Sequence, residues 1–523
     1  MEFTHPKWAE NAVFYEIYPQ SFKDSNGDGI GDLNGISEKL DYIKDLGFNA
    51  LWLNPIFLSP FFDAGYDVTD YYKIAPRYGT LKDFLSLLKK AHEKGIRICL
   101  DLVPGHTAID SEWFKKSCLD EKNEFTDRYI WTKGSWDLPK DFAFLKGISE
   151  RDGAVMTNFF SIQPALNYGF YKVENSFEQK IYGKGPQYTI KAIIDVISYW
   201  LDLGVDGFRV DMAGWLVKRD PDGLGTMKVW EQIFKKVKQK YPESFFVSEW
   251  SKPLSSLNCG FDADFILQDS FSKYHTDLTR GDKPYFSAKS KGGDSKGFID
   301  YYMNMFNQVK KNHCSISLIS GNHDTVRIKE TLTDDEYIKM YYAFMYTWPG
   351  IPFMYYGDEI GMNYVKGLKS IEGGYQRTGS RTPMQWDNTK YAGFSSMNQE
   401  NAKLYISLDS SRDRPNVLQQ KNNKDSLLNF VKKMIEIRLN NEELWAFSDL
   451  EYVYLEEKKY PIIYLRKSQK GQILVAINAS SRKKEINLDR LYTGNVLLSY
   501  NKATLNGNKL ILPARGVYIL KLN

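Results

Sequence analysis

The chain has 523 residues, a formal charge of +4 and 42% hydrophobic residues, enough for a large core and two or three domains. The small net charge and interspersed Lys and Glu argue against nucleic-acid or membrane-surface binding, and no apolar run is long enough to span a bilayer. The opening Met1-Glu-Phe-Thr-His-Pro6 lacks the basic and apolar regions of a signal peptide, so a soluble, cytoplasmic protein is expected, and a secreted or surface form would need a further export segment. The four cysteines, at 99, 118, 259 and 314, are far apart in sequence and match no metal spacing, which points to free thiols. Aromatics make up 15% of the chain, which suits sugar-stacking surfaces as well as large cores.

Strand-like runs alternate with helical patterns along most of the chain. The first run, Val13–Tyr18, leads into Asp24-Ser-Asn-Gly-Asp-Gly-Ile-Gly-Asp32. Asp24, Asn26, Asp28 and Asp32 stand at alternating positions among glycines, hard oxygens at a spacing that suits Ca²⁺. Gly35 occupies the place where an EF-hand needs glutamate, so this is not an EF-hand. Ile36, Leu40, Ile43 and Leu46 predict a helix ending at Gly47. The run Ala50–Ile56 precedes Asp63-Ala-Gly-Tyr-Asp-Val-Thr-Asp70, and Thr80 to Asp83 has the form of a capping box opening a helix that ends near Gly95.

After the third run, Ile96–Val103, about 100 residues pass before the fourth, far more than between the other runs. The insertion, residues 107–188, is aromatic-rich and poor in helical period. The helical run Ile190 to Leu201 then ends at Gly204, and Gly207–Ala213 follows. Phe245–Trp250, Phe261–Ile266, Ser315–Ser320 and Pro352–Tyr356 complete eight strand candidates. Eight such units predict a TIM (β/α)8 barrel (residues 1–106 and 189–445), with its chemistry at the C-terminal ends of the strands. Beyond the helix at Leu427–Leu439, seven short β-like runs predict a small antiparallel domain over 446–523.

Three of the predicted strands end in ionisable groups. Arg209 and Asp211 leave one face of the fourth, Glu249 ends the fifth, and Gly321-Asn-His-Asp324 follows the seventh. Paired carboxylates so placed are what retaining glycoside hydrolysis needs: one attacks the anomeric carbon, and the other protonates the leaving oxygen.

The fragments Gly207-Phe-Arg-Val-Asp211, Ser248-Glu-Trp250 and Asn322-His-Asp324, with Asp101-Leu-Val-Pro-Gly-His106 upstream, resemble in order and spacing the four signature regions of the α-amylase superfamily, glycoside hydrolase family 13. The resemblance runs from about residue 8 to the C-terminus. It implies a barrel with an irregular domain B inserted after strand 3 (residues 107–188) and a C-terminal β-sandwich domain C. It also implies Asp211 as nucleophile, Glu249 as acid/base and Asp324 as transition-state stabiliser, with Arg209 orienting Asp211.

The resemblance further implies that His106 and His323 bind hydroxyls of the reacting sugar, that Tyr66 stacks on it, and that Asp63 pairs with Arg327 to grip a terminal glucose. The Ca²⁺ ligands would be Asp24, Asn26, Asp28, Asp32 and the Ile30 carbonyl, with the ion structural and no organic cofactor. Three positions depart from the usual pattern. Gly105 stands where relatives usually carry Asn, which removes a side-chain hydrogen bond. In Gln163-Pro-Ala-Leu-Asn167, similar to a fifth region of oligo-1,6-glucosidases, Ala165 replaces the usual Asp. Met212, after the nucleophile, is neither the Val common with α-1,6 preference nor the Thr or Ala common with α-1,4 preference. Arg381-Thr-Pro-Met-Gln-Trp-Asp387 resembles a segment of α-glucosidases and trehalose-forming relatives, in which Gln385 and Trp386 could contribute to the pocket rim.

The expected activity is a retaining, α-glucosidase-like hydrolase acting on oligosaccharides from the non-reducing end, as a monomer or simple homo-oligomer. The alternatives are a transglycosylase or isomerase on the same scaffold, an endo-acting amylase, and a non-catalytic relative, which the intact catalytic set disfavours.

Overall fold

Runs such as Ala50-Leu-Trp-Leu53 are buried along their whole length, as strands must be when side chains fill one face and helices cover the other. The computed structural model describes residues 3–136, 138–266, 276–281, 283–287, 294–398 and 403–523. Eight parallel strands close into a barrel in sequence order: β1 (Phe14–Ile17), β2 (Ala50–Leu53), β3 (Arg97–Leu102), β4 (Gly207–Val210), β5 (Phe245–Ser248), β6 (Ala263–Phe265), β7 (Ser315–Ile319) and β8 (Ile351–Tyr355), with β1 pairing β8. All eight coincide with the runs expected from sequence. Stacked Phe14 and Phe353, their centroids 4.2 Å apart, help to fill the interior, so the barrel is a packed core.

One predicted helix is two. Residues 36–46 divide into α1 (Leu33–Glu38) and α2 (Leu40–Leu46), broken at Lys39 with φ −105° and ψ 5°. The Asp32 carboxylate caps α1, and Gly35 packs so closely on Lys23 that a Cβ would lie 2.0 Å from its carbonyl oxygen. The first turn is therefore tied to the preceding loop while α2 follows the barrel wall. The next helix, α3 (Leu81–Glu93), has the expected capping box between Thr80 and Asp83. Then α4 (Lys184–Asp202) ends before Gly204, whose φ of +100° suits glycine.

The chain between β3 and α4 is mostly irregular. It holds one antiparallel pair, Ala143–Lys146 with Ala154–Thr157, and a small apolar cluster around Ile130, Met156, Ala165 and Phe170. Bridges such as His106 to Ala165 hold this lobe over the C-terminal end of the barrel.

After α5 (Leu224–Lys240), α6 (Lys296–Val309), α7 (Asp335–Thr347) and α8 (Leu427–Leu439), the C-terminal region forms a five-stranded and a three-stranded antiparallel sheet. That gives eight strands where seven runs were expected, Thr504–Asn506 being too short to stand out by pattern. The last strand, Gly516–Leu522, lies inside the five-stranded sheet between Gly471–Asn478 and Gly494–Tyr500.

Two buried guanidiniums meet the C-terminal end of α7, and the second of them, Arg466, joins this region to the barrel. Arg438 donates to the Tyr346 and Gly350 carbonyls, and Arg466 donates to those of Thr347 and Trp445. Burial pushes them down to about 9 and about 10, and the negative end of the α7 dipole faces them. Among the described residues, no helix is long and apolar enough to cross a membrane.

Candidate active site

The site is built on Arg209, which leaves β4 pointing into the barrel mouth with 1% of its side chain exposed. Its Nη1 donates to Asp211 Oδ1 at 2.9 Å and to Asp101 Oδ1 at 2.7 Å, and its Nη2 lies 2.7 Å from Glu249 Oε2. Three carboxylates from the ends of β3, β4 and β5 thus share one guanidinium. Burial pushes Asp211 well above the usual carboxylate range, opposed by Arg209 and reinforced by Glu249, and burial also raises Asp101 to about 6. A buried cluster of three carboxyls and one cation is cheapest when it retains a proton. The Met212 N–H also donates to Glu249 Oε2, at 3.0 Å, from a left-handed backbone with φ 43°. Two donors on Oε2 leave Oε1 as the oxygen able to carry a proton.

Tyr66 and His323 back this cluster. The Tyr66 hydroxyl donates to Asp101 Oδ2 at 2.9 Å and lies 2.8 Å from His323 Nε2, and the two rings stack with centroids 5.2 Å apart. The His323 Nδ1 faces Glu16 Oε1 at 2.9 Å. Burial raises the Glu16 carboxyl well above its usual range and lowers the His323 imidazole well below its own. The Nε2–H of a neutral His323 donates to Tyr66, and its Nδ1 lone pair faces the Asn54 amide at 3.0 Å as well as Glu16. His323 stands behind Tyr66, its Nε2 3.5 Å from Asp324 Oδ2, and does not itself line the sugar-sized cavity.

Asp324 faces the other two carboxylates across that cavity. Arg377 Nη1 (2.7 Å) and Arg381 Nη2 (2.9 Å) both donate to its Oδ1. Burial alone would raise its carboxyl, but the Arg381 and Arg377 guanidiniums hold it well below the usual range. Asp63 accepts from Gln163 Nε2 at 2.8 Å and lies 3.7 Å from Arg377 Nη2.

The expected pairing of Asp63 with Arg327 is absent. The Arg327 side chain is fully buried beside β8, where its Nη1 donates to the Tyr356 carbonyl at 2.6 Å and to Asp358 Oδ1 at 3.0 Å. A guanidinium with a buried carboxylate at hand has no reason to turn outward, and Arg377, on the turn Tyr375–Ser380, occupies the place expected of it.

Asp63, Tyr66, His106, Asp211, Glu249, Asp324 and Arg377 therefore line one cavity of about 190 Å³, with Phe159, Phe160 and Met212 beside them. The cavity opens past His106, Phe159, Asp211 and Met212 into a chamber of about 490 Å³ between the lobe and the loop after β4.

The model of the alpha amylase catalytic domain matches residues 16–446, which is most of the chain. The chain belongs to the alpha-amylase family. It is a glycosidase. It is 31% identical over 511 residues to maltase A2 of Drosophila melanogaster, covering 90% of this chain and 86% of that one. To the oligo-1,6-glucosidase of Bacillus cereus it is 28% identical over 565 residues, with 96% of each chain covered. Among solved structures, the trehalose-6-phosphate hydrolase of Bacillus licheniformis superposes with a TM-score of 0.79 at 26% identity, covering 99% of this chain and 100% of that one.

In this member of the family, Asn158, Gln163 and Arg377 are contacts that sequence reasoning does not assign to the pocket. Only Gln163 carries a signal, as the first residue of the fifth region. Gln385 and Trp386, expected at the rim, are buried and line neither cavity, whereas Arg381 is a buried partner of Asp324 that also donates to the His323 carbonyl.

The loop Asp24–Asp32 lies apart from the cavity. Asp24 is fully buried and accepts from the N–H groups of Asn26, Gly27 and Gly29. Asp28 accepts from Ile30, and Asp32 accepts from Ser25 while capping α1. These oxygens keep further lone pairs, so the donor set has the chemistry Ca²⁺ prefers. Among the described residues, no three His, Cys, Asp or Glu side chains converge as a metal cluster.

Proposed function

We propose that the protein is a retaining, exo-acting α-glucosidase that removes single glucosyl units from short α-glucosides. The observation that carries this reading is one guanidinium holding Asp211 and Glu249 at its two ends, in a cavity of about 190 Å³. Retaining enzymes need their two carboxyls only about 5–5.5 Å apart.

Arg209 takes Asp211 Oδ1, so Oδ2 attacks C1 as Glu249 protonates the leaving oxygen. Glu249 then takes a proton from water as the glycosyl ester is hydrolysed, which returns the cluster to its starting state. Asp324, kept ionised by two arginines, binds ring hydroxyls and stabilises the oxocarbenium-like transition state. Asp63 and Arg377 close the end of the cavity, which favours a terminal glucose over a chain passing through. The adjoining chamber receives the leaving group. An acceptor sugar held there would give transglycosylation through the same intermediate.

The donor set of Asp24, Asn26, Asp28, Asp32 and the Ile30 carbonyl supports a structural Ca²⁺ with no part in the chemistry. Four unpaired cysteines support a reducing compartment, and a pocket built from a single chain can work in a monomer or a simple homo-oligomer.

The test is proton NMR of the first glucose released from an aryl α-glucoside, whose leaving group contributes no glucose of its own, with chromatography of products from soluble starch. Retention predicts α-glucose before mutarotation, and exo-action predicts glucose or single-glucosyl transfer products. Initial β-glucose overturns the mechanism, and early maltotriose or longer products overturn the closed pocket.

A further inference from the structure

Residue 105 is a glycine although its backbone is not in the left-handed region, so its lack of a side chain is a matter of space. A Cβ there would lie 3.2 Å from Asn158 Nδ2, tighter than an ordinary contact. Asn158 comes from the lobe, just beyond the strand Ala154–Thr157. Its Nδ2 donates to the Gly105 carbonyl at 2.8 Å and lies 3.3 Å from His106 Nδ1, and its Oδ1 accepts from Lys218 Nζ at 3.0 Å. Lys218 also donates to the Trp215 carbonyl, on the loop that follows the nucleophile strand. On the far side of the ring, His106 Nε2 lies 2.9 Å from the Tyr66 carbonyl.

That carbonyl can only accept, so Nε2 carries the proton and Nδ1 presents a lone pair to the Asn158 amide. The arrangement is single-valued: a proton on Nδ1 would meet the Asn158 donor head-on, with the Lys218 ammonium one bond further away. Burial, with Lys218 adding to it, likewise holds the imidazole down at about 4.

We propose that Asn158, braced by Lys218, is a positioning residue that fixes the tautomer and tilt of His106 in the sugar cavity, and that Gly105 leaves the room it needs. The inserted lobe is thereby coupled to the reacting subsite through one amide. The proposal rests on the reading of that cavity as the glucosyl site, and its consequence is specific. A side chain at 105 and the amide at 158 compete for one space, so their substitutions should not be additive.

The experiment uses the full chain in four forms: wild type, Asn158→Ala, Gly105→Asn, and the double variant. In kinetics on maltose and isomaltose, each single variant should lose about tenfold or more in kcat/KM, mainly through KM, as second-layer supports of a binding side chain do. The double variant should recover much of that loss, because the amide introduced at position 105 can reach the space vacated at position 158. Asn158→Asp, which keeps the shape but puts an acceptor where the donor was, guards against a folding failure in Asn158→Ala and should also impair binding.

Histidine-selective ¹⁵N NMR, with the His106 signal identified by its loss in His106→Gln, reads the ring without any substrate. Wild type should show the Nε2–H form, and Asn158→Ala should show a mixture. An unchanged His106 signal and unchanged KM in both Asn158 variants, or strictly additive losses in the double variant, overturns the proposal. The Nε2–H signal with its expected change, but no turnover of either sugar by wild type, instead leaves the proposal standing and rejects the assigned activity.

Discussion

Arg377 gives the sharpest test of how the pocket is closed. It donates to Asp324 Oδ1 at 2.7 Å and to the Gly373 carbonyl at 2.7 Å, and it stands 3.7 Å from Asp63, with 26% of its side chain exposed. Arg377→Ala removes one of two guanidiniums from Asp324 and the only cation within 4.0 Å of Asp63 among the described residues. A charge-assisted hydrogen bond is worth about 1.5–3 kcal/mol. Partial exposure and the remaining Arg381 reduce the loss to about 1–2 kcal/mol, or about 5–30-fold in kcat/KM on disaccharides. Initial rates on maltose and isomaltose measure it directly. Soluble starch supplies the second readout, because an opened end should let chains through and release products longer than glucose. Arg327→Ala is the contrast. It removes one cation from a buried Asp358, which keeps the Ser320 hydroxyl, so it should cost up to about 3–5 kcal/mol of stability while leaving product sizes alone. If Arg377→Ala matches wild type on both substrates and still releases only glucose, Asp63 and Arg377 do not close the pocket.

Asp211→Asn should lower kcat on the order of 10⁴-fold or more, and Glu249→Gln should spare activated aryl glucosides because their leaving groups need little protonation; comparable losses on maltose and on an aryl glucoside would refute the role of Glu249. The folded protein holds the His106 imidazole at about 4 against an ordinary value of 6.5, so the unfolded chain takes up the proton first as pH falls. The stability that comes from keeping it neutral is complete above about 6.5 and is lost on the way down to about 4, up to about 3 kcal/mol. His106→Gln should therefore flatten the fall in Tm across that window, and an equally steep fall would refute the assignment. Chelation with EDTA should lower Tm, by as much as about 2.7 kcal/mol of stability at a hundredfold excess of Ca²⁺ over its Kd, without abolishing activity at moderate temperature; a Tm that ignores both EDTA and added Ca²⁺ removes the ion from the loop.

The barrel is legible in the sequence because each strand is buried on both faces and bounded by turn residues, so periodicity and spacing mark all eight. The carboxylates at the barrel mouth are legible because strand ends at one barrel face are necessarily neighbours. Asp63 lines the cavity, but its partner is not the expected one. The direction Arg327 takes is decided by Asp358, beyond the next strand, a contact no local pattern carries. Arg377 lies on a short 3₁₀ turn with no periodicity, and nothing near it in sequence marks it as facing Asp324. The same holds for Asn158: the sequence shows that Gly105 lacks a side chain, but not that the lobe supplies an amide in its place. The break at Lys39 is hidden for a related reason, since α1 is tied down by a loop while its apolar spacing continues unbroken into α2.

The final strand, Gly516–Leu522, lies inside the five-stranded sheet, flanked on both sides. During synthesis, then, Gly471–Asn478 and Gly494–Tyr500 emerge without the neighbour that joins them, which is made after both. Until it arrives, two strand edges stand open and ready to pair with another chain. The Arg466 cage over the end of α7 is meanwhile held by an incomplete sheet. The barrel can close once β8 is out, so the enzyme gains its catalytic face well before it gains its protection against association. A nascent chain stalled before Gly516 should carry an assembled site and still be cleared as an aggregate.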